Sequence, residues 1–234
     1  MRIAMLGGTF DPIHNGHLEL ARGFARRLLL DQVILMPTAI PPHKVKTSMA
    51  PPDKRLHMCR LAVQDDPLFT VSDWEIARGG ASFTVDTLQA LTAAQPQAEW
   101  FLITGADMFL TLGSWWRFAD IARMATLCAA PRDAQNAAQL RAYAAELEQQ
   151  GARCVVADLP LMPVSSTALR KALAAGEDTS RWLPVPVADY IAREGLYTTK
   201  KAMNTIMTDE QFVDIIKGRL TERRFHHSLE VAKE

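Results

Sequence analysis

The chain has 234 residues with 26 basic and 26 acidic side chains, 48% apolar residues and three cysteines. That length supports one large domain or two small ones with a real core. Zero formal net charge removes the long-range attraction that a duplex-coating or lipid-surface protein needs, so neither DNA, RNA nor a membrane is an expected partner. Cys59, Cys128 and Cys154 are odd in number and far apart, which fits a reducing cytoplasm rather than a disulfide framework or a cysteine-rich zinc site. The apolar run after Arg2 is too short for a signal peptide, and no stretch reaches the ~18 apolar residues of a membrane span.

In chain order, Ile3 to Leu6 reads as a short buried strand ending in Gly7-Gly8. A helix is predicted from about Gly16 to Leu30, with Leu18, Ala21, Ala25, Leu28 and Leu29 on one face at the 3.6-residue period. Further apolar runs at Gln32 to Met36, Leu68 to Ile76 and Trp100 to Thr104 are predicted strands, the last two each preceded by a helix-like stretch; Ala125 to Ala129 and Cys154 to Ala157 continue the series. An Ala/Leu/Glu/Gln-rich helix from about Ala134 to Gln150 separates the last pair, stopped by Gly151. Strands alternating with helices predict an α/β fold, a mostly parallel sheet with helices on both faces. Ligands in such sheets sit beyond the carboxyl ends of the strands, which directs attention to Gly7 to His17 and Gly105 to Asp107.

The segment from Gly7 to His17 lies between the first strand and the first helix, where unpaired backbone N–H groups and the helix dipole favour an anion. No G-x-x-x-x-G-K-[ST] and no G-x-G-x-x-G occurs in the chain, so neither of those phosphate loops accounts for it. His14 and His17, three residues apart at a helix start, could instead turn both imidazoles toward phosphate oxygens and supply the cations, with Thr9 adding a hydroxyl. From spacing alone, a tight glycine turn with helix-capping histidines and a metal-binding pair stand beside that reading. The second candidate is Ser165-Ser166-Thr167-Ala168-Leu169-Arg170: Ser165 as N-cap of a helix that ends at Gly176, with Arg170 one turn in, forms a clamp for β- and γ-phosphates. Alone, it better describes an ordinary serine cap beside a surface arginine; its pairing with the first loop favours the clamp.

Gly8 to Leu18 (GTFDPIHNGHL) resembles the first signature of the HxGH nucleotidylyltransferase superfamily, and Ser165 to Arg170 resembles its second. Pro41-Pro42-His43-Lys44, Ser82 to Leu88, Gly105-Ala106-Asp107 and Trp115-Trp116 further resemble bacterial nicotinate mononucleotide adenylyltransferases in order and spacing, over residues 2 to about 198. The resemblance implies a Rossmann-like nucleotidylyltransferase fold, ATP and nicotinate mononucleotide as substrates, and Mg2+ carried with ATP. It implies His14, His17, Thr9 and Arg170 as catalytic residues. Gly7, Gly8, Thr9, Phe10, His17, Gly105, Asp107, Ser165, Ser166, Thr167 and Arg170 would bind ATP. Lys44, Phe83, Thr84 and Trp115 would bind the mononucleotide, Trp115 by stacking on the pyridine ring and Thr84 also capping its helix. Lys44 is equally a solvated loop lysine, and one of Trp115 and Trp116 is expected to pack in the core. The family's Arg-Pro-Gly run is replaced by Ala130-Pro131-Arg132-Asp133, which leaves the role of Arg132 open. His57 reads as a structural or surface residue.

Near Thr198 the composition changes: 13 of residues 200–234 are charged, against 39 of the first 199. The chain therefore divides into a domain at 1–199 and a helical extension at 200–234, too short for its own core. Arg224 to Ala232 resembles the opening of an HD-domain phosphohydrolase, nearest to symmetrical diadenosine tetraphosphate hydrolases, cut short. There His227 would match a first metal ligand, but one ligand cannot build a dinuclear site, and no metal is expected in the main domain. A helical appendage that packs on the main domain or on a second subunit, so mediating self-association, with His226 and His227 as polar helix residues, is the alternative.

Overall fold

The computed structural model describes residues 1–40 and 49–198. The first half contains β1 (Arg2–Gly8), α1 (Asn15–Leu28), β2 (Gln32–Pro37), α2 (Pro52–Ala62), β3 (Phe69–Val71), α3 (Trp74–Arg78) and α4 (Thr84–Ala94). Then come β4 (Glu99–Thr104), α5 (Ala106–Phe109), a single 3-10 turn at Leu112–Ser114, α6 (Phe118–Met124), β5 (Ala125–Ala129) and α7 (Ala134–Gln149). The last elements are β6 (Cys154–Val156), α8 (Ser166–Ala175) and α9 (Val185–Glu194).

The six strands form one sheet in the order β3-β2-β1-β4-β5-β6, every neighbouring pair parallel. Because both faces are covered, the middle residues of β1, β2, β4 and β5 are buried whichever way their side chains point, which is why these strands read as unbroken apolar runs. Ala4 and Leu6 face a core with Leu18, Ala21 and Phe24 of α1, Met58 and Cys59 of α2 and Val187 and Ile191 of α9. Ile3 and Met5 face the opposite core with Val85 and Leu88 of α4, Ile121 of α6 and Leu140 and Leu147 of α7. This is the Rossmann-like arrangement. β1 lies between β2 and β4, so the chain leaves it toward one edge, then returns to build the other half from β4. The crevice at that reversal lies between the carboxyl ends of β1 and β4, where Leu6 is opposite Ile103.

Three local expectations change. The run from Leu68 to Ile76 is not one strand: β3 stops at Val71 and α3 begins at Trp74. The Trp74 N–H donates to Ser72 Oγ at 3.3 Å, the local side-chain bond that lets serine favour a turn over a ladder. Leu29 leaves the apolar face of α1; it terminates the helix in a left-handed conformation at φ 52° and is exposed, while Leu30 turns back into the core. Thr84 is the first residue of α4 rather than its cap, which is the extended, buried Phe83. In contrast, Ser165 caps α8, accepting from the Ala168 N–H, and Gly176 ends that helix at φ 73°. Gly151 follows α7 at φ 88°.

Candidate active site

At the end of β1, Gly7 is exposed, and a Cβ added there would meet nothing within 4 Å; the same holds for Gly105 at the end of β4. Two bare strand ends therefore line the crevice side by side. The chain then turns through Phe10, a non-glycine residue at φ 49°, a conformation that costs about 1–2 kcal/mol. Burial of its ring offsets that cost: Phe10 is enclosed and meets His17 edge-on at 5.1 Å.

His14 is the N-cap residue of α1, and its backbone N–H donates to His17 Nδ1 at 3.2 Å. With Nδ1 accepting, a neutral His17 carries its proton on Nε2, which becomes a donor. The two imidazoles stack, centroids 3.6 Å apart. His14 is 4% exposed, and burial lowers its pKa from 6.5 to about 4. The expectation of two cations is thus corrected for His14: at neutral pH it is a dipolar imidazole, because an imidazolium would lose its hydration there.

The second signature reaches the first across the fold. Arg170 Nη1 donates to the Asp11 carbonyl at 2.6 Å and lies 3.5 Å from Asp11 Oδ2. The Ser166 hydroxyl donates to the Pro12 carbonyl at 3.0 Å, and the Asn15 N–H to the Trp182 carbonyl at 2.8 Å. Gly16 makes this approach possible: a Cβ there would stand 2.8 Å from Val164 Cγ1, too close for any side chain. The hydroxyl of Ser165 serves the helix cap, and that of Thr167 accepts from Arg170 Nη2 at 3.3 Å. What α8 offers an anion is therefore the first-turn N–H groups of Ser166 and Thr167 together with the guanidinium.

Two groups that hold this loop escaped the sequence reading. Arg55 is completely buried and donates to the carbonyls of Thr9 (2.7 Å), Thr38 (2.7 Å), Ala39 (3.2 Å) and Ala50 (3.0 Å). It ties the loops after β1 and β2 to α2. Asp11, 1% exposed, accepts from the Ala50 N–H at 3.1 Å and the Tyr197 hydroxyl at 2.8 Å. Its charge also offsets part of the burial that lowers the Arg55 pKa. Nothing in α2, whose sequence also carries Asp53, Lys54, His57 and Arg60, set Arg55 apart from a surface arginine; Asp11 was visible in the motif without a partner.

The cytidylyltransferase-like family matches residues 5–172, which include both signatures. The chain belongs to the cytidylyltransferase-like family. Curated relatives named "Probable nicotinate-nucleotide adenylyltransferase" include one from Synechococcus sp. (strain JA-3-3Ab), 40% identical over 84% of this chain and 94% of its own length. Another, from Thermus thermophilus, is 40% identical over 84% of this chain and 100% of its own. Among solved structures, Plasmodium falciparum nicotinic acid mononucleotide adenylyltransferase complexed with NaAD superimposes with TM-score 0.66 at 16% identity, covering 84% of this chain and 97% of that one. That likeness concerns the fold.

Of the remaining candidates of this cytidylyltransferase-like protein, Asp107 stands just beyond the carboxyl end of β4, Phe83 and Thr84 at the start of α4, and Trp115 after the 3-10 turn. Asp107, in the first turn of α5, is exposed and paired with Arg132 Nη2 at 3.0 Å, so the arginine left open by the sequence stands beside it. Phe83 is buried with its ring 4.9 Å from Trp116, which leaves its backbone and the first amides of α4 as the groups it can offer. Trp115 is partly exposed, and its indole N–H donates to Thr111 Oγ1 at 3.0 Å. This segment is pinned from below: the Ala39 N–H donates to Ser82 Oγ at 3.0 Å, Arg78 bonds the Ala81 carbonyl and Asp86, and the Thr87 hydroxyl donates to Glu75 Oε1 at 2.6 Å. Glu75 is buried, and burial raises its pKa; the sequence reading missed it. His57 is exposed with its ring 4.5 Å from Tyr190. Lys44, His43 and the whole of 199–234, with His227 and the HD-like opening, lie outside the described residues.

Among the described residues, no group of three or more His, Cys, Asp or Glu could hold a metal ion, and no helix is long and apolar enough to cross a membrane. The Asp11 carboxylate is committed to Tyr197, Ala50 and Arg170, and Asp107 to Arg132. That donor set fits a divalent ion carried by a nucleotide's own phosphates better than one caged by protein.

Proposed function

We propose that this protein transfers the adenylyl group of ATP to nicotinate mononucleotide, giving nicotinate adenine dinucleotide and pyrophosphate in NAD synthesis. The observation that carries the reading is the junction of Arg170 and Ser166 with Asp11 and Pro12, which sets a cationic helix start against the two histidines. The named activity of relatives 40% identical over nearly their whole length supports the choice of acceptor.

In the proposed mechanism, a 5′-phosphate oxygen of the mononucleotide forms a bond to the α-phosphorus of ATP as the bond to the bridging oxygen of the β-phosphate breaks. Pyrophosphate leaves with that electron pair. No covalent enzyme intermediate is needed; the chain's task is alignment and neutralisation of developing charge. His14, His17 Nε2 and the Thr9 hydroxyl act as donors to the reacting phosphates. Arg170 and the α8 amides hold the leaving pyrophosphate. Gly7, Gly8 and Gly105 let the nucleotide lie against bare backbone, with Phe10 shaping the turn and Asp107 meeting the adenosine side. Trp115 stacks on the pyridine ring, while Phe83 and Thr84 present α4's first amides to its carboxylate, and Lys44 contributes a phosphate contact. A divalent cation, which we take to be Mg2+, accompanies ATP and offsets triphosphate charge.

We assign the reaction to residues 1–199 and treat 200–234, which lie outside the described residues, as a separate extension; the working location is the cytoplasm. Pyrophosphate release from ATP, measured with nicotinate mononucleotide, nicotinamide mononucleotide, phosphopantetheine and no acceptor, tests the reading. The expected result is fastest release with the nicotinate compound. Equal release without an acceptor, or none with any, would contradict it.

A further inference from the structure

Tyr197 follows the end of α9 after Gly195 and Leu196, the latter bonded back to the Ile191 carbonyl. It holds φ 63°, a left-handed backbone that a bulky aromatic residue adopts only where its surroundings impose it. Its hydroxyl donates to Asp11 Oδ1 at 2.8 Å, across 186 residues of sequence. Burial, then the neighbouring Asp11 charge, pushes the phenol pKa up, so the group stays a neutral donor. Asp11 in turn meets Arg170 twice, through its carbonyl at 2.6 Å and through Oδ2 at 3.5 Å. The Ala50 N–H shares Oδ1 with the phenol, fixing the carboxylate plane from a second side. Tyr197 is thus linked by a hydrogen bond to a buried carboxylate, and that carboxylate by a 3.5 Å ion pair to the guanidinium assigned to the leaving pyrophosphate.

We propose that Tyr197 is a positioning residue for adenylyl transfer: by fixing the Asp11 carboxylate it aims Arg170 at the triphosphate. This rests on the adenylyl-transfer reading above. Tyr197 touches neither substrate; it sets how much of the time Arg170 points correctly. Without the hydroxyl, Asp11 Oδ1 retains one donor and the carboxylate is free to rotate toward Arg170, drawing the guanidinium into a closer ion pair and away from phosphate.

The test uses the full 234-residue chain. Tyr197→Phe keeps the ring and removes only the bond to Asp11. The expected result is a kcat about tenfold lower and weaker ATP use, with the KM for nicotinate mononucleotide within about twofold of wild type. In an Arg170→Lys background, the same substitution is expected to cause no further loss, since its effect passes through Arg170. An unchanged kcat accompanied only by a lower Tm would reduce Tyr197 to a structural prop, and full multiplication of the two losses would break the link to Arg170. Should Tyr197→Phe not fold, Asp11→Asn replaces it: here Arg170 loses its carboxylate partner outright, the fall in kcat is again expected to vanish in the Arg170→Lys background, and a loss that persists there would break the link. Should wild type transfer to no acceptor, the reading of the reaction fails. The link is then judged by calorimetric binding of an unreactive ATP analogue, where independent losses in the single and double variants would overturn it.

Discussion

Protonation of His14 is expected to weaken the fold by an amount that can be worked out from its burial. The folded pKa of about 4 lies below the ordinary 6.5, so between those two values the unfolded chain binds a proton that the native chain refuses. Stability from this group is therefore complete above about pH 6.5 and declines as the pH falls toward about 4. Each pH unit in that window corresponds to about 1.4 kcal/mol, giving on the order of 3 kcal/mol in full and about 2.5 kcal/mol at pH ~4.5. That is a sizeable share of the roughly 5–15 kcal/mol typical of a domain. Glu75, whose pKa is raised, works in the opposite sense, adding relative stability as the pH falls, so wild-type curves alone would mix the two. The assay is urea unfolding of wild type and His14→Asn in steps from about pH 7.5 to about pH 4.5. The asparagine variant keeps a neutral polar group and every other titration, so the difference between the curves isolates His14. Wild type is expected to lose about 2.5 kcal/mol relative to the variant across that range. Parallel curves would refute the reasoning and return His14 to an ordinary, hydrated imidazole.

Arg55→Met should cost on the order of 4 kcal/mol in urea unfolding, because it strands the carbonyls of Thr9, Thr38, Ala39 and Ala50 and leaves Asp11 short of a counter-charge. A loss below about 1.5 kcal/mol would show that water or a shifted loop replaces it. Gly7→Val should leave Tm within about 2 °C, since a β-branched residue suits a strand and open space surrounds the new Cβ. The same change should raise the KM for ATP at least about tenfold by occupying the crevice. Unchanged kinetics would place the nucleotide elsewhere.

The alternation of strands and helices was legible because a doubly covered sheet writes each strand as a continuous apolar run, as in Ile3 to Leu6. The cap and stop of α8 were equally legible, since Ser165 and Gly176 state their backbone roles locally. The division at Leu68 to Ile76 was not: its apolar residues serve a strand and then a helix, and only the Ser72 side-chain bond separates them. In the site, both signatures could be found by spacing, but spacing says nothing about desolvation, so the neutral state of His14 appeared only with its burial. Arg55 was hidden for a related reason. Its four acceptors come from three separate parts of the chain, and nothing in a helix bearing Leu56, Met58 and Cys59 announces that the arginine points inward. Asp11 was in plain view, yet its partners lie 39, 159 and 186 residues away.

Those separations bear on when the enzyme comes into being during its synthesis. A ribosome makes β1 and the histidine loop first, but the guanidinium that completes the loop emerges 159 residues after Asp11, and the phenol that braces it later still. Domains gain structure as translation proceeds, yet contacts between distant segments form last and most slowly. A nascent chain can thus assemble much of the sheet while the junction of Arg170 and Tyr197 with Asp11 is still unmade, and that junction closes only after the turn beyond α9 has cleared the exit tunnel.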